Sequence, residues 1–144
     1  MDQLHHQWHG QLEIVADFER TAAYLPPLHR SPREHPLFVQ VGLRVRNLSA
    51  VPLSLHFATA QLLEIELIAD DGEVITRLSQ GQLYAQVASV RTLDPHRSLY
   101  LEGALPLFDE EWAWAPSGNY TLRFSLAANM RFGAQGPLRL LAPS

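Results

Sequence analysis

The sequence predicts an all-β protein in which two antiparallel sheets pack face to face as a sandwich. Three observations point to this fold. Short stretches alternate apolar and polar residues, as strands with one buried face do. Turn signals recur at close intervals, as they do about every 8–12 residues in sandwiches. No long stretch of the chain has the apolar spacing of an amphipathic helix.

The composition fits a single soluble domain over residues 1–144, with 47% hydrophobic and 18% charged residues. A chain without cysteine has no disulfide, no thiolate metal site and no cysteine nucleophile. The net charge of −4 argues against binding to nucleic acid or to an anionic membrane. No run is long enough to span a membrane, and the first residues lack an apolar signal-peptide core. We therefore expect a cytoplasmic protein.

The first strand is predicted over residues 11–18, after a polar segment, residues 1–10, that we expect to be flexible. His5, His6 and His9 lie in this segment at a spacing with which imidazoles can bind a divalent metal. No acidic or cysteine ligand nearby completes the set. The favoured interpretation is a plain polar terminus, with a histidine metal site as the alternative.

Residues 21–36 form a proline-rich segment that we expect to be a long loop, because proline removes backbone donors and fixes φ. Prolines stiffen the part around Leu28, His29, Arg30 and Arg33, so these residues are candidates for contact with a protein partner. A connection that crosses between the two sheets is the favoured alternative.

Residues 61–86 contain the hairpin around which we expect the other strands to be arranged. A strand over residues 63–69 is followed by a turn at Asp70, Asp71 and Gly72 and a returning strand at residues 74–78. Further strands are predicted at residues 38–48, 53–57, 87–93 and 99–105, with His56 facing solvent. An isolated hairpin is marginal in water, so these strands must supply the rest of the core.

Residues 106–118 interrupt the strand pattern and place Asp109, Glu110 and Glu111 beside Trp112 and Trp114. Exposed tryptophans can stack on sugars or anchor a protein partner. Neighbouring carboxylates on one loop do not flank a scissile bond from both sides, as glycoside hydrolysis requires. We therefore consider the tryptophans as partner-binding candidates, with the alternative that they close one end of the sandwich.

The last strong strand is predicted over residues 119–128. Tyr120 enters it directly from a turn, which is typical of the tyrosine corner of immunoglobulin-like Greek-key sandwiches. Residues 130–136 are predicted to be a turn region, and residues 138–141 a closing edge strand.

The block Arg77, Ser79, Gly81, Tyr84 and Gln86 resembles the Arg-x-Ser-x-Gly-x-x-aromatic-x-Gln motif of the BsuPI-type intracellular proteinase inhibitors. The similarity covers residues 38–128. Its other parts are an Asn-x-x-x-x-Pro motif at residues 47–52, an Asp-x-x-Gly turn, a Leu-x-Pro motif and a Pro-x-Gly-x-Tyr-x-Leu ending. The family's Ser-Gly-Gln and Pro-Gly-Glu turns are replaced by residues 59–61 and 95–97.

This resemblance implies an immunoglobulin-like sandwich related to inhibitors of an intracellular serine protease. We predict a protein-binding domain that is not an enzyme, uses no cofactor and acts by steric occlusion of a partner, for which a subtilisin-like serine protease is the candidate. The two candidate contact loops are residues 25–35 and 107–117. The motif block is predicted to be architectural, with a contact surface as the alternative. Adaptor and carbohydrate-binding domains are the rival functions, and the oligomeric state stays open.

Overall fold

A computed structural model describes residues 3–9, 12–18, 22–27, 29–128 and 133–142 of the chain. It contains eleven strands and no helix in these ranges, which confirms the all-β prediction. The strands are β1 (Gln3–His9), β2 (Leu12–Phe18), β3 (Ala22–Tyr24), β4 (Phe38–Asn47), β5 (Leu53–Phe57), β6 (Leu63–Ala69), β7 (Val74–Arg77), β8 (Ser89–Leu93), β9 (Ser98–Pro106), β10 (Gly118–Leu126) and β11 (Gly133–Leu141).

The first sheet is antiparallel and has the order β1-β2-β4-β9. Strand β4 is its centre, and the alternation that predicted it is seen in the burial of Val39, Val41, Leu43 and Val45. Along its length β4 pairs with β9, so that Phe38 lies opposite Pro106. This pairing places the carboxyl end of β9 beside the start of β4.

The second sheet has the order β3-β11-β10-β6-β7. The hairpin of β6 and β7 is present as predicted, and Gly72 in its turn has φ of 89°, which favours glycine. Strand β10 lies between β6 and β11 and contributes buried Leu122 and Phe124. The tyrosine corner is confirmed, because the Tyr120 hydroxyl donates a hydrogen bond to the carbonyl of Pro116.

Three sequence-based expectations about strands are wrong. Residues 21–36 are not all loop, since β3 begins at Ala22 and pairs in parallel with β11. Residues 133–137 belong to β11, and β11 lies inside the sheet between β3 and β10. Residues 3–9 form β1, where no strand was predicted from the sequence. For β3 and β11, pairing between strands that are remote in sequence decides the structure, whereas β1 pairs with the adjacent β2.

Strands β5 and β8 form a separate two-stranded sheet. The buried side chain of Asn47 anchors it, because Asn47 Nδ2 donates to the carbonyls of Val51 and Leu93, at 2.8 and 2.9 Å. A bridge between Phe57 and Ala128 also connects β5 to the end of the second sheet. His56, on β5, is exposed as predicted.

One core cluster joins the inner faces of the two larger sheets. Its largest fully buried side chains come from both sheets and from the β5–β8 pair, and include Leu43, Leu55, Phe57, Ile65, Leu67, Leu105, Leu122 and Phe124. The packing is close enough that a Cβ on Gly103 would lie 3.0 Å from a methyl of Leu78. The molecule is therefore a β-sandwich, and the Greek-key order of its connections stays a prediction.

Candidate functional site

An open groove of about 820 Å³ lies at the end of the sandwich where β9 finishes. Its walls are the segment that follows β7 and the loop that follows β9, and its floor is the last part of β9 with Phe38 of β4. The lining residues are Phe38, Leu78, Gln80, Gly81, Gln82, Tyr84, Glu102, Gly103, Ala104, Pro106, Phe108, Asp109, Glu110 and Trp112. We call it the aromatic groove. It brings together Gly81, Tyr84 and Trp112 of the residues singled out in the sequence.

The segment after β7 is fixed by side chains of the hairpin. Glu64 on β6 accepts two hydrogen bonds from Ser79, one from its backbone N–H at 3.2 Å and one from its hydroxyl. The Gln80 side chain donates to the carbonyl of Phe108, which connects the segment to the opposite wall of the groove. These contacts are the structural reason for a serine at position 79, two residues after the end of β7.

Two arginines lie beside this anchor and hold the same carboxylate. Arg77 Nε is 3.2 Å from one oxygen of Glu66, and Arg123 Nη2 of β10 is 2.7 Å from the other. Both arginine side chains are about half exposed. Exposed ion pairs contribute little stability, so this network orders the sheet surface more than it strengthens the fold.

Gly81 lets the chain turn away from the sheet, because its φ of 68° is strained for other residues. The next residues, 82–88, have no regular secondary structure, and all except Tyr84 are exposed. We call residues 82–88 the exposed segment. Leu83 in it has a relative exposure of 101%, the highest among the exposed large hydrophobic residues of the described chain. A backbone hydrogen bond from Ala60 to the carbonyl of Ala85, at 2.9 Å, holds its middle.

Leu83 was not among the residues singled out in the sequence, because it lies between the motif positions Gly81 and Tyr84. A signal was present in the composition. Leu83 is a large aliphatic residue directly after the polar run Ser79–Gln82, in the sequence SQGQ. An apolar side chain next to a polar turn and outside the alternating pattern indicates exposure.

The two candidate loops, residues 25–35 and 107–117, contact each other. The indole N–H of Trp114 donates to the carbonyl of Arg30 at 2.8 Å, and the guanidinium of Arg33 lies 5.1 Å from the ring centre of Trp112. Trp112 also stacks on Phe108 with the ring centres 5.4 Å apart. Each loop therefore restrains the other, and Trp112 remains 41% exposed at the mouth of the groove.

Asp109 shapes the second loop and is not free for chemistry. Its Oδ1 accepts hydrogen bonds from the backbone N–H groups of Glu111 and Ala113, at 2.9 and 3.0 Å. The turn places Trp112 at a φ of 62°, a left-handed conformation that costs a non-glycine residue about 1–2 kcal/mol. The carboxylate of Asp109 thus has a structural role in holding the tryptophan over the groove.

The remaining predicted site residues are dispersed. His29 and Gln86 are exposed and do not line the groove, whereas Leu28 lies outside the described residues. The side chains of His5, His6 and His9 are also outside the described part of the structure. Where side chains are described, no group of three or more potential ligands of the His, Cys, Asp or Glu type lies together to hold a metal. No helix within the described ranges is long and apolar enough to cross a membrane.

Tyr84 has the one perturbed titration in the groove among the described residues. Its pKa is raised, first because burial disfavours the phenolate and second because Glu64 is negatively charged nearby. The phenol therefore stays protonated and can donate a hydrogen bond over the physiological range.

A comparison with protein-family models identifies the relationship. The model of the BsuPI family, described as intracellular proteinase inhibitor, matches residues 28–131. The chain belongs to this family. The resemblance found over residues 38–128 is thereby confirmed, and both walls of the aromatic groove lie within the matched range.

Two solved structures are similar to this BsuPI-family chain in outline. One is a FixG-related protein from Vibrio parahaemolyticus, with a TM-score of 0.49 and 11% identity over 92% of this chain and 98% of that chain. The other is Spo0M, a sporulation control protein from Bacillus subtilis, with a TM-score of 0.46 and 14% identity over 94% of this chain and 51% of that chain. A search of curated proteins finds no match. Likeness at these levels carries no argument about function.

Proposed function

We propose that this BsuPI-family protein inhibits a serine protease by steric occlusion, and that the exposed segment, residues 82–88, enters the protease cleft. The observation that carries the proposal is the complete exposure of Leu83 in a chain of the proteinase inhibitor family. A folded protein normally buries a leucine. The exposed segment also holds Val87, which is 63% exposed, and apolar residues grouped at the surface mark contact sites for other molecules.

The anchors of the segment support a role in tight binding. Ser79 is bonded to Glu64 before the segment, and Ala85 is bonded to Ala60 within it. A segment fixed at both points loses less conformational entropy on binding than a free loop does. An extended chain can pair with the edge strands that line a protease cleft, while its side chains enter pockets.

The chemistry of Leu83 suggests the kind of protease. An aliphatic side chain suits an apolar primary pocket, as in subtilisin-like and chymotrypsin-like enzymes, and does not suit a pocket with a buried carboxylate. A subtilisin-like serine protease is accordingly the partner we propose. The family is described as intracellular, and we propose a cytoplasmic location for the complex.

The loops at residues 25–35 and 107–117 are proposed as a second contact surface. Because Trp112 is already in contact with Phe108 and Arg33, its ring is less available as a platform for sugars. The structure therefore offers less support to a carbohydrate-binding function than to protein binding. An adaptor without inhibitory activity is the remaining rival, and it needs no exposed apolar residue at position 83.

The test is a titration of the protein into a subtilisin-type protease, with residual activity as the readout. We expect the wild type to inhibit and Leu83→Asp to raise the inhibition constant about tenfold or more, as truncation of a central contact residue does. Val51→Asp is the matched control, since Val51 is also an exposed aliphatic residue but lies in the turn between β4 and β5.

Three outcomes decide between the functions. Lack of inhibition at micromolar excess, or rapid cleavage of the wild type, refutes the inhibitor and leaves the adaptor. Equal inhibition by the Leu83→Asp variant and the wild type refutes the role of the exposed segment. In that case Trp112→Ala tests whether the second surface makes the contact.

A further inference from the structure

The aromatic groove carries negative charge at its rim. Glu102 of β9 and Glu110 of the loop that follows are exposed, and Asp109 also lines the groove. Among the described residues neither Glu102 nor Glu110 is in an ion pair. The carboxylate that Arg77 and Arg123 bind is that of Glu66. The lining contains no arginine, lysine or histidine. An occupant of this groove therefore meets the carboxylates of Glu102 and Glu110, while Arg33, which lies over the Trp112 ring, is a cation beside the groove.

The inner surface of the groove is aromatic. Phe38, Tyr84, Phe108 and Trp112 line it, and Phe108 holds the set together by an edge contact to Phe38 and a stacked contact to Trp112. Faces of such rings attract cations, and arginine is the cation most often found there. Arg33 of this chain already lies over the Trp112 ring, which also stacks on Phe108, so Phe38 and Tyr84 are the rings of the groove that are open to a further cation.

The floor of the groove is the outer strand of a sheet. β9 is the last strand in the order β1-β2-β4-β9, and in the described chain it pairs with β4 alone. An outer strand presents backbone N–H and C=O groups along its free side, and an extended peptide can pair with them. The groove thus offers backbone hydrogen-bonding groups, carboxylates and aromatic rings to one bound segment.

We propose that the aromatic groove binds an extended, arginine-bearing segment of a partner protein, with the backbone of that segment along β9 and its guanidinium groups between the aromatic rings and the carboxylates of Glu102 and Glu110. Charge complementarity selects this occupant over an acidic or uncharged segment. The contact is separate from that of Leu83, which lines no part of the groove, and it does not require the partner to be a protease.

The probe is a capped pentapeptide of alternating valine and arginine, Ac-Val-Arg-Val-Arg-Val-NH2, titrated calorimetrically and by tryptophan fluorescence into the full chain at low salt. The same peptide with citrulline in place of arginine removes the charge and keeps the shape. We expect saturable binding of the arginine peptide at roughly millimolar concentration or below. Binding of the citrulline peptide should be about tenfold weaker or more, and binding of the arginine peptide should weaken as salt is added.

Substitutions then locate the site. Glu102→Gln and Glu110→Gln should each weaken binding about two- to fivefold and together about tenfold, as the loss of exposed charge pairs does. Asp94→Asn is the matched control, because this exposed carboxylate lies before β9, at the opposite end of the strand from the groove. Trp112→Phe should remove most of the fluorescence change if the peptide lies in the groove.

Absence of saturable binding, equal binding of the citrulline peptide, or an equal effect of Asp94→Asn overturns the proposal. The result is also independent of the inhibitor assay. A protein that binds the peptide without inhibiting a protease refutes the proposed function and keeps the groove. Inhibition of a protease without peptide binding refutes the groove proposal and keeps the proposed function.

Discussion

Replacement of Asn47 by alanine should cause one of the largest losses of stability available from a single polar side chain in this protein. Asn47 is fully buried, with 0% exposure. Its amide donates to the carbonyls of Val51 and Leu93, and its carbonyl oxygen accepts from the backbone N–H and the hydroxyl of Ser49, at 2.9 and 2.7 Å. The side chain thus connects the end of β4 to the following turn and to the end of β8.

The magnitude follows from these four hydrogen bonds. Each contributes about 1 kcal/mol net, and the buried partners that remain have no replacement in the alanine variant. We therefore expect Asn47→Ala to lower the free energy of unfolding by about 4 kcal/mol. For a chain of this size that corresponds to a fall of roughly 10 °C in the melting temperature.

Urea denaturation followed by circular dichroism measures this difference. Asn119→Ala is the control, because Asn119 is an exposed asparagine at the start of β10 and should change stability by about 0.5 kcal/mol at most. A loss below about 1 kcal/mol for Asn47→Ala would show that the hydrogen bonds do not carry the connection. Asn47 would then not be the side chain that holds β4, the following turn and β8 together.

Three further substitutions test local features of the fold by the same measurement. Tyr120→Phe should cost about 1 kcal/mol near pH 8 because the bond to Pro116 is lost. Burial raises the pKa of Tyr120 above its usual value of 10.0. The extra stability of the wild type over Tyr120→Phe is therefore complete below pH 10 and should vanish as the pH rises through the folded-state pKa. A stability difference that stays constant at high pH would contradict this expectation. Gly103→Ala should cost about 1–3 kcal/mol, since the new methyl meets Leu78, and an unchanged midpoint would exclude that clash. His96→Gly should stabilise by about 0.5–1 kcal/mol, because His96 has a φ of 62°, whereas destabilisation would mean that its side chain matters more than its backbone.

The strands that sequence alone predicted well are those whose pattern is local. Alternation in β4, in β6 and in β10 lies within one stretch of chain, and each of these strands is buried on one face as expected. The hairpin turn was equally legible because glycine at position 72 has a conformational reason. His96 stands where the family's Pro-Gly-Glu turn has glycine, and its φ of 62° is strained for a residue with a side chain.

Among the strands that were missed, β3 depends on a distant partner. β3 is three residues long and exists because it pairs with β11, more than a hundred residues away in sequence. The glycines and the proline in β11 conceal its alternation, although its position between two strands makes it a central element. Register with a remote strand is a property of tertiary structure, and no short window of sequence contains it.

The candidate site was predicted only in part, because some of its residues are brought together by tertiary structure. The two candidate loops were recognised from proline and tryptophan content, and the structure brings them into contact through Trp114 and Arg30. The groove beside them was not predicted, because it is formed jointly by Phe38, Glu102 and the motif block, which are far apart in sequence. Exposure of Leu83 likewise depends on where the whole segment leaves the sheet.

The bond between Ser79 and Glu64 has an evolutionary and practical consequence. The side-chain atoms that fasten the segment belong to Ser79 and Glu64, whereas the side chains of Gln82, Leu83 and Ala85 are exposed. Positions 82, 83 and 85 are therefore free to diversify while the framework is retained. A library randomised at these three sites would redirect the domain to new targets without rebuilding its interior.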